Sequence, residues 1–233
     1  MASTIYLIPT VLEETATHTI PLYIVDAIKN CQVIFAENER TARRFLKLMW
    51  KEMVIDDYEW HTIHKAEGEQ KINFRNCITA NKNIAIMSEA GCPGIADPGQ
   101  ILIEVAQQMN ATIKPLVGPS SILLALMASG MNGQQFEFVG YLPIDNGEKI
   151  KAIKEMELTS LKKNSTQIFI ETPYRNDQLL ETLFKTCKPT TRICVAAELT
   201  GPNEYIKTKT VADWKKEKTG FHKKPVIFLL QAV

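Results

Sequence analysis

The stretch from Ile84 to Gly99, I-A-I-M-S-E-A-G-C-P-G-I-A-D-P-G, constrains this chain more than any other. Its first four residues are an uncharged, β-rich run. The eleven positions from Glu89 to Gly99 then hold three glycines, two prolines and two carboxylates. Glycine admits φ above zero and lets a ligand approach the main chain, while Pro93 and Pro98 restrict the loop and reduce the entropy lost when it is ordered. The pattern predicts a buried strand emptying into a rigid loop with an accessible backbone. Such a loop serves either as a ligand cradle or as a tight connection to the next helix.

The flanking segments alternate strand and helix. Thr4 to Ile8 reads as a strand stopped by Pro9, and Thr19 as the N-cap of a helix with Pro21 in its first turn and Leu22, Val25 and Ile28 on one stripe. Val33 to Ala36 is apolar throughout, as expected of a parallel strand covered on both faces. Thr41 to Met49 is helical, Lys51 to Lys65 a short strand and mobile loop, and Glu67 to Ala80 a helix. After the Ile84 strand, a helix from Gln100 to Met109 turns Ile101, Leu102 and Val105 to the sheet, and Thr112 to Val117 is a fifth strand. Each link passes through a helix, which predicts a parallel, helix-covered sheet with right-handed crossovers and ligands beyond the carboxyl ends of its strands. Pro9 and Thr10, Glu37 to Arg40, Ser88 to Asp97 and Gly118 to Ser121 become neighbours on that rim. Ser120 or Ser121 is expected to cap the apolar helix Ile122 to Ala128.

From Phe136 the pattern changes. Strands at Phe136 to Leu142, Gln167 to Glu171, Arg192 to Ala197, Glu204 to Lys207 and Pro225 to Gln231 are interleaved with helices at Lys149 to Leu161, at Asn176 to Cys187 and near Asp213. Two of these strands are consecutive, which requires an antiparallel pair. The expectation is an α/β chain of two domains, residues 1–117 with a parallel sheet and residues 118–233 of α+β type with a mixed sheet. A length of 233 residues with 45% hydrophobic composition supports two cores of this size.

Lys and Arg number 27 against 26 Asp and Glu, so no global field draws the chain to nucleic acid and any polyanion site is a local patch. Arg40, Arg43, Arg44 and Lys47 gather along one side of the Thr41 helix, as a solvated face or as phosphate contacts. The five cysteines form no CxxC pair and have no companion histidine at metal-ligand spacing, which suits a reduced cytoplasm without a metal site. His18, His61, His64 and His222 lie outside the motifs and read as surface or packing residues. Ile5 to Ile8 has no basic region before it, and the uncharged span Pro115 to Met131 is broken by Gly118, Pro119, Ser120 and Ser121, so neither a signal peptide nor a membrane span is expected.

Five segments in order, S-E-A-G-C-P-G-I-A-D-P-G, V-G-P-S-S, F-V-G-Y-L-P, I-F-I-E-T-P-Y-R and A-A-E-L-T, resemble the S-adenosylmethionine-dependent tetrapyrrole methylase superfamily. Within it they are most similar to the small-subunit ribosomal RNA cytidine 2′-O-methyltransferase branch, where the stretches typically read SDAGTPGISDPG, PGPSA, EGFLP, FYESPHR and RELTK. The resemblance implies a cofactor cleft between two domains, with contacts at Ser88, Gly91, Cys92, Pro93, Gly94, Ile95, Ser120, Ser121, Tyr141, Glu198, Leu199 and Thr200. It implies ribosomal RNA or the small subunit as partner, with Arg40, Arg43, Arg44 and Lys47 as the RNA patch, and a cytoplasmic homodimer. A-E-N-E-R-T-A-R-R-F-L is close to the branch's A-E-D-T-R-x-T-R-K-L-L. The departures are Thr10, Val11 and Leu12 where the branch carries P-I-G-N after its first strand, Glu89 for Asp and Gly201 for Lys.

Methyl transfer from a sulfonium is an in-line displacement for which the protein chiefly positions the acceptor. A hydroxyl acceptor must lose its proton, and Glu37 and Glu89 are the rim carboxylates placed to take it; either also suits the cofactor's amino group or a helix N-terminus. Cys92 has no positioned base and reads as small packing against the backbone. Two other functions fit the same motifs: C-methylation of a tetrapyrrole, and a cofactor-binding regulatory module without catalysis, suggested by the altered P-T-V-L segment.

Overall fold

A computed structural model of the chain describes residues 3–63, 67–218 and 220–233. Two compact units divide it, Met1–Ser120 and Ser121–Val233.

The first unit alternates β1 (Thr4–Ile8), α1 (Tyr23–Lys29), β2 (Val33–Ala36), α2 (Glu39–Met49), β3 (Glu59–Thr62), α3 (Glu67–Thr79), β4 (Ile84–Met87), α4 (Gln100–Gln108) and β5 (Thr112–Pro115). The strands form one parallel sheet in the order β3-β2-β4-β1-β5. Every residue of β2 and β4 is buried, which is why V-I-F-A and I-A-I-M carry no polar alternation. Ile24 and Ile28 of α1 with Phe45 and Leu46 of α2 cover one face; Phe74 and Ile78 of α3 with Leu102 and Val105 of α4 cover the other. Each fully buried Ile or Leu here contributes about 1.5–3 kcal/mol.

One local expectation needs correction. The first helix begins at Tyr23 and has no side-chain cap; Thr19 closes a separate 3-10 turn, Thr17–Thr19, and its hydroxyl donates to Ala16 O at 2.7 Å. Pro21 disfavours the helical conformation in the residue before it, and Ile20 is accordingly extended (φ −103°, ψ 120°), so no helix can run through from Thr19. In the Lys51 to Lys65 region the expected short strand is present as β3, a parallel edge strand pairing Glu59 to Thr62 with Val33 to Ala36. The end of that region, residues 64–66 including His64, lies outside the described residues.

The second unit contains α5 (Ser121–Ser129), β6 (Phe136–Tyr141), α6 (Asn146–Lys163), β7 (Thr166–Ile170), α7 (Asn176–Thr186), β8 (Arg192–Ala197), β9 (Tyr205–Thr210), α8 (Val211–Trp214) and β10 (Val226–Gln231). Its mixed sheet runs β6-β7-β10-β8-β9, parallel between β6 and β7 and antiparallel elsewhere. β10 occupies the centre and is buried at all its positions. Its Phe228 packs in a core with Ile153, Leu179, Leu183 and Trp214.

Candidate functional site

The rim of the first unit is built at the carboxyl ends of β1, β2 and β4. Beyond β1, Thr10 makes a two-way backbone bridge with Gly91, its N–H donating to Gly91 O at 2.9 Å and its carbonyl accepting from Gly91 N at 3.3 Å. The buried Thr10 hydroxyl donates to Ser88 O at 3.3 Å. Gly91, Gly94 and Ala96 all have left-handed backbone, with φ of 78°, 82° and 60°. At Gly94 glycine is needed twice over, because a Cβ there would also lie 2.6 Å from Ile103 Cδ1. Asp97 holds the turn shut: its carboxylate accepts from Gly94 N at 2.9 Å and Gly99 N at 2.7 Å. The half-buried Cys92 thiol donates to Pro119 O at 3.4 Å. Gly118 lies so close to Pro9 that a methyl group built on it would overlap the proline ring.

The two rim carboxylates differ in role. Glu37 Oε2 accepts the Glu89 N–H at 2.8 Å, so Glu37 ties the end of β2 to the loop after β4. Glu89 is exposed, and its Oε1 accepts from Asn38 Nδ2 at 3.2 Å. Asn38 in turn caps α2 by accepting from Arg40 N and Thr41 N. Glu89, Ser88 and Ala90 form one wall of a pocket of about 240 Å³; Val11, Leu12, Arg44 and Phe45 lie on the others. Val11 and Leu12 thus close the pocket with apolar side chains at the place where the branch carries glycine and asparagine. Ile95, within the same loop, is 54% exposed. Ser120 precedes α5 and Ser121 is its first residue.

In the second unit the strand register gathers four segments at one edge. Tyr141 pairs with Ile170, Ile170 with Ile227, and Val226 with Ala197, so the ends of β6, β7 and β8 lie beside the start of β10. Glu198 and Thr200 are both left-handed, at φ 52° and 68°. Glu198 Oε2 accepts from Lys224 Nζ at 2.5 Å, Thr200 N donates to Glu204 Oε2 at 2.7 Å, and Thr200 Oγ1 is buried with no hydrogen-bond partner among the described residues. Leu199 is buried and Tyr141 exposed. Glu171, just past β7, has a side chain only 1% exposed; it accepts from Thr172 N at 2.7 Å and Arg175 Nε at 3.0 Å, and faces Lys149 Nζ at 3.6 Å.

The family profile of the Tetrapyrrole (Corrin/Porphyrin) Methylases matches residues 16–214. The chain belongs to the tetrapyrrole methylase family. This methylase is 30% identical over 230 residues to the ribosomal RNA small subunit methyltransferase I of Buchnera aphidicola subsp. Schizaphis graminum, covering 97% of its own length and 77% of the relative. It is 30% identical over 209 residues to the protein of the same name from Bacillus subtilis (strain 168), covering 90% of itself and 68% of that relative. Among solved structures the methyltransferase CobJ superposes with a TM-score of 0.66 at 15% identity, covering 100% of this chain and 95% of that one. The cobalt precorrin-4 methyltransferase CbiF gives 0.61 at 14% identity, covering 98% and 94%. Both share the fold.

Along α2 of this methylase the four cations are not an open patch. Arg43 pairs with Glu39 and lies over the Trp60 ring at 4.9 Å, Arg44 pairs with Glu14 at 2.8 Å, and Lys47 donates to the carbonyls of Lys51 at 2.6 Å and Met53 at 2.9 Å. Arg40 is exposed and has no ion-pair partner among the described residues. Arg44 stays 73% exposed beside the pocket despite its pair.

The methylase folds its sequence-distant His61 and Cys77 together. With Glu59 they place three ligand-type atoms within 4.8 Å of one another, a grouping invisible to a spacing search because Cys77 comes from α3 and the others from β3. The carboxylate is engaged by Lys82 Nζ at 2.5 Å and His61 Nε2 at 2.8 Å, and the His61 ring stacks on Phe35 at 4.5 Å. The residues that sequence reading passed over are Asp97, Lys149, Glu171, Arg175 and Lys224. I-F-I-E-T-P-Y-R was visible as a motif, but the partners of Glu171 come partly from α6, which only the fold brings near.

Proposed function

We propose that this methylase transfers the methyl group of S-adenosylmethionine to a ribose 2′-hydroxyl of small-subunit ribosomal RNA. The observation that carries this is the pocket lined by the exposed Glu89 and Arg44 together with the apolar Val11, Leu12 and Phe45, in a chain that matches relatives named for that RNA along 90% or more of its own length and 68–77% of theirs.

The residues present fit the cofactor. Thr200 Oγ1 is a buried hydroxyl without a partner among the described residues, and strained left-handed backbone at Glu198 and Thr200 is the kind of feature that persists where a ligand is held. In the first unit, Gly91 to Ile95 present a rigid backbone with an exposed apolar side chain at the end. We assign Ser88, Gly91 to Ile95, Ser120 and Ser121, and in the second unit Tyr141 and Glu198 to Thr200, to holding S-adenosylmethionine. When bound, that group supplies a methyl carbon already activated by a positive sulfur.

What remains for the chain is positioning and one proton. Holding two reactants in line is worth up to about 7–11 kcal/mol, so the stiffness of the Asp97-clamped loop matters more than any nucleophile. Glu89 is the group we assign to accept the proton of the acceptor hydroxyl, a role typically worth about 10²–10⁴-fold. Glu37, with one oxygen bound to Glu89 N, positions that residue. Arg40 and Arg44 contribute phosphate contacts, giving salt-dependent affinity without base selection.

Purified protein is incubated with methyl-labelled cofactor and either small-subunit particles or a mixture of tetrapyrroles. Label in RNA, alkali-stable at a ribose, is expected. Label in pigment would replace this reading by C-methylation, and label in neither would leave a binding module.

A further inference from the structure

The edge of the second unit carries an aromatic side chain that the methyl-transfer chemistry does not use. Tyr174 is 70% exposed. It stands on a turn braced from beneath: Arg175 N donates to Thr172 O at 2.9 Å, and Arg175 Nε donates to the buried Glu171 carboxylate and to Thr172 Oγ1, each at 3.0 Å. The segment leading into β10 closes on the turn, where Lys223 N donates to Pro173 O at 2.9 Å and Lys223 itself is left-handed at φ 62°. The His222 ring meets Tyr174 edge to face at 5.7 Å and 76°, and Lys223 Nζ lies 5.8 Å from the ring centroid. Lys223 has no carboxylate partner among the described residues, whereas the neighbouring Lys224 is held by Glu198.

We infer that Tyr174, with His222 and Lys223, is a stacking site for an unpaired base of the acceptor RNA, the ring taking the base and the ammonium taking the adjoining phosphate. This rests on the RNA reading above and gives it a site for recognition apart from the chemistry. The ring has few rotatable bonds and its turn is already ordered, so little entropy is lost when a flat ligand settles on it. Folding gains little from leaving it in water. An exposed ammonium over a tyrosine is a weak contact that a stacked base outcompetes, and the released lysine then meets a phosphate. Single-stranded RNA is read in this way, by bases splayed onto aromatic faces beside basic side chains. The Lys224 to Glu198 bond places the site next to the segment assigned to the cofactor.

The test uses full-length protein and a fluorescein-labelled single-stranded oligocytidine, with affinity read by anisotropy and cofactor uptake read by calorimetry as a control for folding. Tyr174→Leu is expected to weaken oligonucleotide binding about 5- to 100-fold. Tyr174→Phe should stay within about twofold because the ring face remains, and Lys223→Gln should lower the salt slope by about one. Cofactor uptake should not change in any of the three. Equal binding by Tyr174→Leu and parent, or no binding of the oligonucleotide by parent, overturns the stacking site. The RNA-methylation reading is judged separately by transfer of label to ribosomal particles, so failure of the stacking site is distinguished from failure of that reading.

Discussion

Lys149 and Glu171 face one another 3.6 Å apart in the second unit, with side-chain exposures of 4% and 1%. The distance is too long for a hydrogen bond, and Glu171 Oε2 has no hydrogen-bond partner among the described residues. Arg175 serves the opposite oxygen. Two withdrawn charges in this relation hold the end of β7 in place at a cost in desolvation, so removing one partner hurts more than replacing both.

Lys149→Met should therefore destabilise the fold by about 3 kcal/mol, since it leaves the buried carboxylate without the cation facing its Oε2, and Lys149→Met combined with Glu171→Leu should recover part of that loss. Denaturant midpoints for the two variants and the parent measure it. A single variant as stable as the parent would show that the pair does not brace this edge.

Asp97 organises the loop after β4 by accepting from Gly94 N and Gly99 N, so its carboxylate ties together the two ends of the turn. Asp97→Ala is expected to cost about 1–3 kcal/mol of stability. It should also weaken S-adenosylmethionine uptake about tenfold, because the loop must then be ordered on binding. Calorimetric titration below the variant's unfolding temperature separates the two effects. Unchanged uptake would remove the loop from the cofactor site.

The acid limb of stability should depend on Glu59. The Lys82 ammonium, and after it His61, hold this carboxyl below its usual value of 4.5. A depressed folded-state pKa contributes stability that is fully present above the unfolded value and is lost as pH falls through the folded one. Urea midpoints for the parent should therefore drop on acidification below about pH 4.5, and Glu59→Gln should flatten that part of the profile. Parallel profiles for the two proteins would refute the linkage. The contribution is small, since the Glu59 carboxylate and its Lys82 partner are both well exposed to solvent and screened.

Thiol reactivity should follow burial. Desolvation pushes Cys31 and Cys187 up to about 12, and burial, helped by the Asp97 charge, raises Cys92 as well. At about pH 8 iodoacetamide should leave Cys31 and Cys187 untouched in the folded protein and modify the half-buried Cys92 slowly, the full set of five being modified only after denaturation. Mass mapping of the alkylated peptides reads the order. Fast labelling of native Cys31 would contradict its packing beneath α1.

Much of the first unit was legible in the residues because parallel strands buried on both faces leave unbroken apolar runs, as V-I-F-A and I-A-I-M do, with turn residues between. Glu59 to Thr62 was harder: an edge strand is covered on fewer sides, and its E-W-H-T has no such run. Thr19 misled because hydroxyl residues suit helix caps and 3-10 turns alike, and the decision lay with the conformation that Pro21 imposes on Ile20. The basic stripe of α2 was readable as spacing, but whether each cation is free depends on Glu14, Trp60 and the Met53 carbonyl, none of which belongs to the helix.

By itself the sequence determined the alternation of elements, the two-part organisation and the glycine- and proline-restricted loop, since these follow from local conformational preference and hydrophobic period. Only the tertiary structure decided that Glu37 ties down Glu89 while Glu89 opens onto a pocket, that Lys149 meets Glu171, and that the exposed Tyr174 ring meets His222 and Lys223. Those are relations between side chains on different elements. No local preference encodes them, because the distance between two such groups is fixed by how the sheets and helices pack.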